Sequence, residues 1–407
     1  MSLTPNQIAI IKSTVPVLAE HGLAITTLMY QNMLTGEPTL NSIFNRAHQR
    51  TGRQPTALAG ALYAYASYID DLSALTAAVE LICHKHASLY VRAPHYAVVG
   101  RYLMDAMKSV LGDALTPEIA AAWGAAYGQL ADLFIVREKE LYDTVDQWSD
   151  WRDFRVARKE RESDDITSFY LEPVDGVALP AYLPGQYISV RMHVPALDCL
   201  QPRQYSLSDA PSADAAYYRI SVKREDGGAV STLLHDKTVV GDVLQVAHPY
   251  GDFTFDAECG AQDAPVVLLA AGVGLTCLFS VLKSIAAAGQ TQRPVSWIHV
   301  ARHKSVRAFD SQIAEVTQTL PQLRVVQFAS QPAVSEVQGT DYDFAGRLTV
   351  DRLDAQKDLH LDDERTQYFV CGPDEYMADT WESLKQLGVP ASRVHMEQFG
   401  TGGVVKA

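Results

Sequence analysis

The sequence predicts three domains in series: an all-α domain, an antiparallel β-barrel, and an α/β domain built on a parallel sheet. The chain has 407 residues, enough for about two to four domains at roughly 100–200 residues each. Its texture changes near Trp151, from Ala- and Leu-rich helical periodicity to short alternating segments, and near Ala264, to buried strands that alternate with helices. We therefore expect domains at residues 1–147, 151–260 and 261–407, joined at Gln147–Asp153 and Ala257–Asp263.

Charge and composition exclude several classes of protein. Asp plus Glu (48) exceed Lys plus Arg (34), and the net charge is −14, whereas proteins that bind nucleic acid or anionic membranes carry basic surfaces. No uninterrupted apolar run is as long as a spanning helix, and no leader with a basic and an apolar part is visible. The five cysteines are scattered, without CxxC or zinc spacing, which indicates reduced thiols. We expect a cytoplasmic monomer that needs no nucleic acid and no obligate protein partner.

The helical domain carries a histidine on an apolar stripe. At helical spacing around His86 stand Leu75, Val79, Ile82 and Leu89. His84, two positions earlier, lies about 200° around the helix at ~3.6 residues per turn, so it points elsewhere. A core histidine that is hydrogen-bonded to a neighbour would explain the stripe by itself, because the pattern is common.

Three further polar residues lie on apolar stripes of the same domain: Tyr30, Tyr96 and Glu138. Glu138 is the informative one, because burial of an unpaired carboxylate is costly. A solvated helix edge is the alternative explanation, since Arg137 and Lys139 flank it. Together with the histidine, four polar groups directed at one small helical core indicate that they surround something.

The barrel domain contains the most specific short motif of the chain, Arg203-Gln204-Tyr205-Ser206. An isolated match would be an ordinary strand, but the motif resembles the RxYS signature of ferredoxin-reductase-like flavoproteins. The resemblance implies that the arginine pairs with the flavin pyrophosphate through its bidentate fork. It also implies that the tyrosine ring faces the isoalloxazine and that the serine reaches the flavin N5 region. Two family-like segments accompany the motif: one contributes Tyr187, and the other places Gly228 and Ser231 at the phosphates.

In the third domain, a buried strand leads into a Gly-rich turn and a helix, as at dinucleotide pyrophosphate sites. The turn is not GxGxxG and resembles the reductase family's GxGxTP, with Cys277 in place of proline. Cys371, a core thiol if taken alone, begins a segment similar to the family's CGP element near the site of hydride transfer. The end of the chain resembles a segment that folds over the flavin, with Met396 and Thr401 where the family has Tyr and Pro. The cofactor-binding residues so implied are Ala271, Gly272, Val273, Gly274, Leu275, Thr276, Cys371, Gly372, Pro373, Gln398, Phe399, Gly400 and Thr401.

The choice of coenzyme stays open at the level of sequence. Arg302, His303, Lys304 and Arg307 follow the strand at Trp297–Val300. Basic residues at this strand end can hold the 2′-phosphate of NADPH, or they form a solvated basic cluster. The reductase family mostly prefers NADH.

The helical domain resembles the haem pocket of a bacterial globin at six positions: Tyr30, Phe44, Gln54, Leu58, Lys85 and His86. The resemblance implies that His86 is the proximal iron ligand, that Tyr30 and Gln54 hold bound oxygen, and that Phe44 packs on the porphyrin. Leu58 shares the distal helix face with Gln54, four residues earlier. Because Pro55 disfavours helical conformation in the residue before it, we expect the distal helix to start near this proline. The family also pairs Tyr96 and Glu138 with the histidine, which makes it more electron-donating.

The three parts together resemble a flavohaemoglobin over nearly the full chain. The resemblance implies haem b, FAD and NAD(P)H as cofactors, with electrons passing from NAD(P)H through FAD to the haem. It further implies a nitric oxide dioxygenase, in which haem-bound O2 oxidises nitric oxide to nitrate, and a bridge between the domains through Lys85 and Glu397. An oxygen or nitric oxide sensor with a reset reductase, and a general NAD(P)H flavin or ferric reductase, are the alternatives. Lipids or azole-type inhibitors are further conceivable ligands of the distal pocket.

Overall fold

The computed structural model describes residues 3–145, 148–256 and 262–400, and it has the predicted order of domains. Seven α-helices form the first domain within the described residues. They are α1 (Pro5–Ser13), α2 (Val15–Gly36), α3 (Arg46–Arg50), α4 (Arg53–Ser67), α5 (Thr76–Ala87), α6 (Ala93–Leu111) and α7 (Pro117–Asp143). Helix α2 packs against α4 and α6, while α7 packs against α1, α5 and α6. The predicted all-α domain is confirmed.

Helix α7 has the length and composition of a membrane-spanning helix, which the sequence analysis did not anticipate. Helices α1 and α2, which meet at an angle of 67°, also have that length and composition when they are taken together. In the fold, α7 directs Trp123, Phe134 and Glu138 inward, and each is buried. Only 28% of its most apolar stretch is buried, so its place in the helical core accounts for part of its apolar composition.

The second domain is built on one antiparallel sheet, as predicted. Its strands are β1 (Arg152–Arg161), β2 (Ile166–Pro173), β3 (Tyr187–Val194), β4 (Cys199–Ser206), β5 (Tyr218–Lys223) and β6 (Val243–Val246), in the order β4-β3-β6-β1-β2-β5. Strand β4, which carries the Arg203 motif, was not predicted as a strand because Pro202 interrupts it. Proline is tolerated there because β4 lies at the edge of the sheet. One helix, α8 (Ala229–Asp236), follows the Gly-rich segment.

The third domain is a parallel sheet with helices between its strands, again as predicted. Its strands are β7 (Val266–Ala271), β8 (Val295–Ala301), β9 (Leu323–Ala329), β10 (Phe344–Ala345), β11 (Gln367–Cys371) and β12 (Val394–Glu397), in the order β10-β9-β8-β7-β11-β12. Its helices are α9 (Leu275–Ala287), α10 (Asp310–Thr319) and α11 (Asp374–Gln386). Strand β12 was missed because it is short, yet it pairs Glu397 with Cys371 and so brings the end of the chain to the nucleotide site. Of the predicted linkers, residues 147 and 257–261 lie outside the described residues.

Candidate active site

Helix α5 directs His86 to a buried carboxylate. The imidazole Nδ1 lies 2.7 Å from Glu138 Oε1 and 2.9 Å from the Tyr96 hydroxyl. The Tyr96 hydroxyl donates to the same Glu138 oxygen, and burial, followed by the Glu138 charge, raises the pKa of Tyr96 well above its usual value. Glu138 is 2% exposed, which rules out the solvated helix edge. The carboxylate is thus satisfied by two donors, and Nδ1 of His86 is fully used.

The second ring nitrogen of His86 is the one left to coordinate a metal. His86 lies beside Phe134, with ring centroids 5.9 Å apart, yet 34% of its side chain is accessible. A core histidine packed only against protein would be more enclosed. With a carboxylate accepting from Nδ1, the arrangement matches the way protein histidines hold a metal through Nε2. The donor set of this pocket therefore fits a haem iron.

The opposite side of the pocket contains the predicted distal residues Tyr30, Gln54 and Leu58, together with Phe44. Tyr30 is buried, and its ring meets Phe44 edge-on with centroids 5.5 Å apart. Burial raises the pKa of Tyr30 well above its usual value, while the Gln54 amide nearby acts in the opposite direction. Gln54 Oε1 is buried and has no hydrogen-bond partner of normal geometry among the described residues. Leu58 packs on the same core, so a phenol and an amide reach this apolar space.

The distal helix begins two residues before the predicted proline. Helix α4 starts at Arg53, after Gly52 in the left-handed region at φ 73°, so Pro55 lies in the first turn. A proline costs little there, because the first-turn N–H groups have no partner inside the helix. The Pro55 carbonyl accepts from Thr26 Oγ1 at 2.8 Å. This bond ties the start of α4 to α2, which carries Tyr30.

The Arg203 motif on β4 leaves several polar groups without protein partners. Arg203 has no carboxylate partner among the described residues and bonds only its neighbour's carbonyl, Pro202 O, at 2.6 Å. Its burial lowers the guanidinium pKa. The Tyr187 hydroxyl and Ser206 Oγ are buried without a hydrogen-bond partner in the described part of the chain. An unpaired cation and two orphaned hydroxyls fit a ligand with a diphosphate and a polar ring system, as FAD has.

The four other members of the predicted flavin set contact protein groups. Gln204 Nε2 donates to Ser88 Oγ at 2.7 Å, so this predicted flavin residue bridges to the helical domain. Tyr205 is half-buried next to the arginine, and desolvation raises its pKa well above the usual value. At Gly228 a Cβ would lie 2.4 Å from Ser231 Oγ, which explains the glycine just before α8. Ser231 Oγ accepts the Glu225 N–H at 3.2 Å and so shapes that turn.

The Gly-rich turn after β7 has the shape of a phosphate-binding turn. Residues Gly272–Gly274 form a short 3-10 turn that continues into α9, and Gly272 has φ 54°. A Cβ at Gly274 would lie 2.3 Å from the Cys371 carbonyl oxygen, so only glycine allows the two segments to meet. His299 braces the turn through a 3.2 Å contact with Gly272 O, and burial lowers its pKa to about 4. The first N–H groups of α9 have no acceptor one turn earlier in the helix and can bind an anion there.

The remaining nucleotide residues surround that turn. Cys277 and Cys371 are both fully buried, and the proximity of the Cys277 thiol, after burial itself, raises the pKa of Cys371. Thr276 Oγ1 donates to Val273 O at 3.1 Å and so ties the start of α9 to the turn. The other predicted residues lie on the same two segments: Ala271 ends β7, Leu275 begins α9, Gly372 follows β11, and Pro373 precedes α11.

The end of the described chain meets helix α5. Lys85 Nζ donates to Gln398 O at 3.3 Å and to Gly400 O at 2.5 Å. Glu397 is 3% exposed, and burial raises its pKa to about 8, with Lys85 acting in the opposite direction. The predicted bridge is therefore made through backbone carbonyls, and the Lys85 charge reaches Glu397 at longer range. Phe399 is 38% exposed beside them, and Thr401 lies outside the described residues.

The basic residues after β8 already have carboxylate partners. Arg302 pairs with Asp165 at 3.1 Å and Lys304 with Asp341 at 2.7 Å. Arg307 pairs with Asp310 at 2.8 Å, and His303 Nδ1 contacts Ser305 Oγ at 3.2 Å. A 2′-phosphate would have to compete with these carboxylates.

Several residues at the junction of the domains were missed by the sequence analysis. His84 accepts the Gly251 N–H at 3.0 Å, Tyr90 accepts the His248 N–H at 3.2 Å, and Gln201 donates to Asn41 O at 2.8 Å. The sequence did predict that His84 points away from the His86 stripe. That direction could have indicated a contact with another domain, because it turns the His84 side chain out of the globin core. Gln201 carried no such signal, since its contact with Asn41 joins segments more than a hundred residues apart.

Comparisons with known proteins agree with this arrangement. Family models described as Globin, Oxidoreductase FAD-binding domain and Oxidoreductase NAD-binding domain match residues 27–134, 153–255 and 268–382. Flavohemoproteins of Bordetella pertussis and Deinococcus radiodurans are 48% and 47% identical to this chain. These matches cover 99% and 98% of this chain, and 100% and 97% of the relatives.

Solved structures give the same result. A flavohemoglobin from Malassezia yamatoensis with bound FAD and heme has a TM-score of 0.87 at 30% identity and covers 98% of this chain and 100% of its own. The FAD/NAD-binding domain of a nitric oxide dioxygenase from Vibrio cholerae has a TM-score of 0.54 at 32% identity. It covers 62% of this chain and 99% of its own.

The domain order, the donor sets and the relatives lead to one assignment. The pocket around His86 fits haem, the unpaired groups near Arg203 fit FAD, and the turn at Gly272 fits a nicotinamide dinucleotide. The chain belongs to the flavohemoprotein family, with haem, FAD and a nicotinamide coenzyme as its cofactors.

Proposed function

We propose that this protein is a nitric oxide dioxygenase that takes electrons from NADH and converts nitric oxide and O2 to nitrate. The observation that carries the proposal is the position of α5: His86 faces the globin core, and Lys85 contacts the end of the NAD-binding domain. A binding protein would not need its iron ligand and its reductase contact on adjacent residues. The Vibrio cholerae relative, which is named a nitric oxide dioxygenase, supports the assignment.

The proximal residues have the arrangement of an electron-donating iron ligand. When bound, the haem supplies O2 binding and one-electron chemistry, and FAD divides a hydride into single electrons. His86 would hold the iron through Nε2 while Glu138 accepts from Nδ1 at 2.7 Å. The carboxylate makes the imidazole a stronger donor, and Tyr96 holds that carboxylate in place. These three residues tune the iron without touching the substrates.

The distal residues provide a small polar area in an apolar pocket. The high pKa of Tyr30 keeps its hydroxyl protonated, so it remains a hydrogen-bond donor at neutral pH. Gln54, whose Oε1 has no partner of normal geometry in the described part of the chain, interacts with Tyr30 and can orient that hydroxyl. Phe44 and Leu58 surround the two groups with apolar surface that admits small neutral gases. We assign Tyr30 the role of hydrogen-bond donor toward the space where O2 would bind, with Gln54 as its positioning residue.

The reductase residues hold two phosphorylated cofactors. Arg203 would bind the flavin diphosphate, and Tyr187, Tyr205 and Ser206 would contact the flavin ring. The turn at Gly272–Gly274 would bind the coenzyme diphosphate through N–H groups at the start of α9. The terminal segment Glu397–Gly400, held by Lys85, would cover the flavin.

We propose NADH as the coenzyme. Arg302, Lys304 and Arg307 each form an ion pair within the protein, so no free cation among them awaits a 2′-phosphate. Five carboxylates approach this strand end, those of Asp164, Asp165, Asp310, Glu336 and Asp341. Their charges oppose a dianionic phosphate. We further propose a cytoplasmic monomer with domains at about residues 1–147, 151–260 and 261–407.

Replacement of the iron ligand tests the proposal. His86→Ala is expected to abolish nitric oxide consumption, because the haem loses its protein ligand. The same variant is expected to keep NADH-to-dye electron transfer, since FAD and NADH bind in other domains. The measurement compares both rates in wild type and variant, with haem content read from the Soret band. Nitric oxide consumption that survives haem loss would contradict the dioxygenase proposal.

A further inference from the structure

A loop of the barrel domain enters the core of the globin domain. Tyr250, in the loop after β6, is 3% exposed and belongs to an apolar cluster. Every other buried member of this cluster is a globin residue: Cys83, Ala87, Tyr96, Ala131, Phe134, Leu141 and Val145. Tyr96 is the residue that holds Glu138 against His86. A side chain of the barrel thus completes the core behind the predicted iron ligand.

Backbone hydrogen bonds fix this loop to the globin domain on both sides of Tyr250. The Gly251 N–H donates to His84 Nδ1 at 3.0 Å, and the His248 N–H donates to the Tyr90 hydroxyl at 3.2 Å. His84 lies on α5, two residues before His86, and Tyr90 follows the end of that helix. The loop is therefore attached to the helix that carries the predicted iron ligand.

The other side of the same loop contacts the flavin site. Tyr250 and Tyr187 exchange two backbone hydrogen bonds, each of 2.9 Å. Gly251 has φ 133°, and a Cβ there would lie 3.2 Å from the Tyr187 ring. Tyr187 is the aromatic residue whose buried hydroxyl has no partner in the described part of the chain. One short segment thus spans the space between the flavin site and α5.

Helix α5 is braced on its far side. Glu80 Oε2 lies 3.9 Å from His84 Nε2, and Arg137 on α7 donates to the Glu80 carboxylate at 2.8 and 2.9 Å. The Tyr250 hydroxyl, in contrast, is buried without a hydrogen-bond partner among the described residues. The contribution of Tyr250 is therefore the shape and packing of its ring, whereas its hydroxyl makes no required bond.

We propose that Tyr250 is a positioning residue that fixes the flavin site relative to the His86 helix and thereby sets the rate at which electrons pass between the two domains. The ring fills the globin core, while the backbone of the same residue pairs with Tyr187. Loss of the ring leaves a void at the contact and loosens the spacing, while the Tyr187 backbone pairing and the hydrogen bond between His86 and Glu138 keep their own partners. The proposal rests on the electron path proposed above, but not on nitric oxide as the substrate.

Rapid mixing with NADH under anaerobic conditions tests the proposal on the holoenzyme. In Tyr250→Ala, flavin reduction is expected to stay within about twofold of wild type, while haem reduction slows by about 10- to 100-fold, as for small misplacements of reacting groups. Tyr250→Phe is expected to match wild type, because the hydroxyl has no partner. Tyr170→Ala is the matched control: this tyrosine is 5% exposed in the barrel and contacts Tyr217, away from the globin domain.

Calorimetry of the same variants gives a readout that does not depend on activity. We expect Tyr250→Ala to separate the unfolding of the globin domain from that of the reductase, whereas Tyr170→Ala lowers the unfolding temperature of the barrel alone. Unchanged haem reduction in Tyr250→Ala, or equal slowing in Tyr170→Ala, would overturn the positioning role. Neither result would bear on nitrate formation, which is measured separately with nitric oxide and O2.

Discussion

Two adjacent residues of α5 place the same helix in two different environments. His86 turns into the globin core and meets Glu138, which is 2% exposed and receives hydrogen bonds from two side chains. Lys85 turns to the reductase, where Glu397 is 3% exposed and forms no ion pair among the described residues. The lysine donates to backbone carbonyls instead, and the pKa of Glu397 rises to about 8. Glu138 and Glu397 are thus buried to the same extent, but only Glu138 receives hydrogen bonds from side chains among the described residues.

The difference lies in what each carboxylate can do. A carboxylate that accepts from two side chains can hold a metal-binding imidazole in a fixed orientation. A buried carboxylate without donors at close range takes up a proton more readily, in line with the raised pKa of Glu397. Substitutions at either carboxylate or at the lysine test this difference, and we expect the largest effect at Glu138.

The largest effect is expected on the globin side. Glu138→Gln keeps an oxygen acceptor for His86 and Tyr96 but removes the charge, so the imidazole becomes a weaker donor. We expect nitric oxide consumption to fall by about 10- to 100-fold, in line with the loss of a metal ligand's hydrogen-bond partner. Glu140→Gln is the matched control, because that carboxylate is 60% exposed and pairs only with Arg137. Equal activity of the two variants would show that the buried charge is not needed.

A smaller effect is expected for the lysine beside it. Lys85→Met removes the donor to Gln398 O and Gly400 O while keeping most of the side-chain volume. The terminal segment is then less firmly held, and we expect FAD to dissociate about tenfold more readily while the haem Soret band is unchanged. Release of FAD is followed by its fluorescence. In the control Lys139→Met, at a lysine 70% exposed, tight flavin binding should persist.

The pH dependence of unfolding tests the reductase side. The folded pKa of Glu397 is about 8 and its ordinary value is 4.5, so between these pH values the folded state holds a proton that the unfolded state releases. The stabilisation is complete below pH 4.5 and is lost as the pH rises through 8. Glu397→Gln is expected to flatten this part of the profile for flavin-free protein. Lys85 and Asp252, the charged groups that also act on Glu397, remain in the variant. An unchanged slope in the variant would assign the titration to another group.

The smallest effect is expected for the coenzyme. Asp165→Asn and Asp341→Asn release Arg302 and Lys304 from their ion pairs. Both pairs are partly exposed, so each is worth only about 0–1 kcal/mol. We expect the double variant to lower the KM for NADPH by a few-fold and to leave the KM for NADH unchanged. A wild-type enzyme that already prefers NADPH would refute the NADH proposal.

The fold could be predicted from the sequence because each domain has its own periodicity. The stripe around His86, the alternation in the barrel and the run of Val266–Ala270 each specify an element without reference to distant residues. Strands β4 and β12 were missed for local reasons, since Pro202 interrupts one and the other spans only four residues.

Site residues that meet inside one domain could be predicted, whereas contacts between distant segments could not. His86, Tyr96 and Glu138 could be grouped because three stripes point into one core, and they do meet. The role of Tyr250 could not be predicted, because a loop that enters another domain leaves no mark on the sequence of either partner. For His84 the sequence indicated that its side chain leaves the His86 stripe, but not which surface it meets. The ion pairs of Arg302 and Lys304 were also invisible, since their carboxylates come from other parts of the chain.

The most direct test of the central claim is the balance of nitric oxide, nitrate and NADH in one reaction of the holoenzyme with O2. The account predicts one nitrate for each nitric oxide consumed and two nitric oxide molecules for each NADH, because each hydride supplies two electrons. It also predicts that this activity is lost in His86→Ala. Nitric oxide that disappears without nitrate, or nitrate formation that persists in haem-free protein, would contradict it.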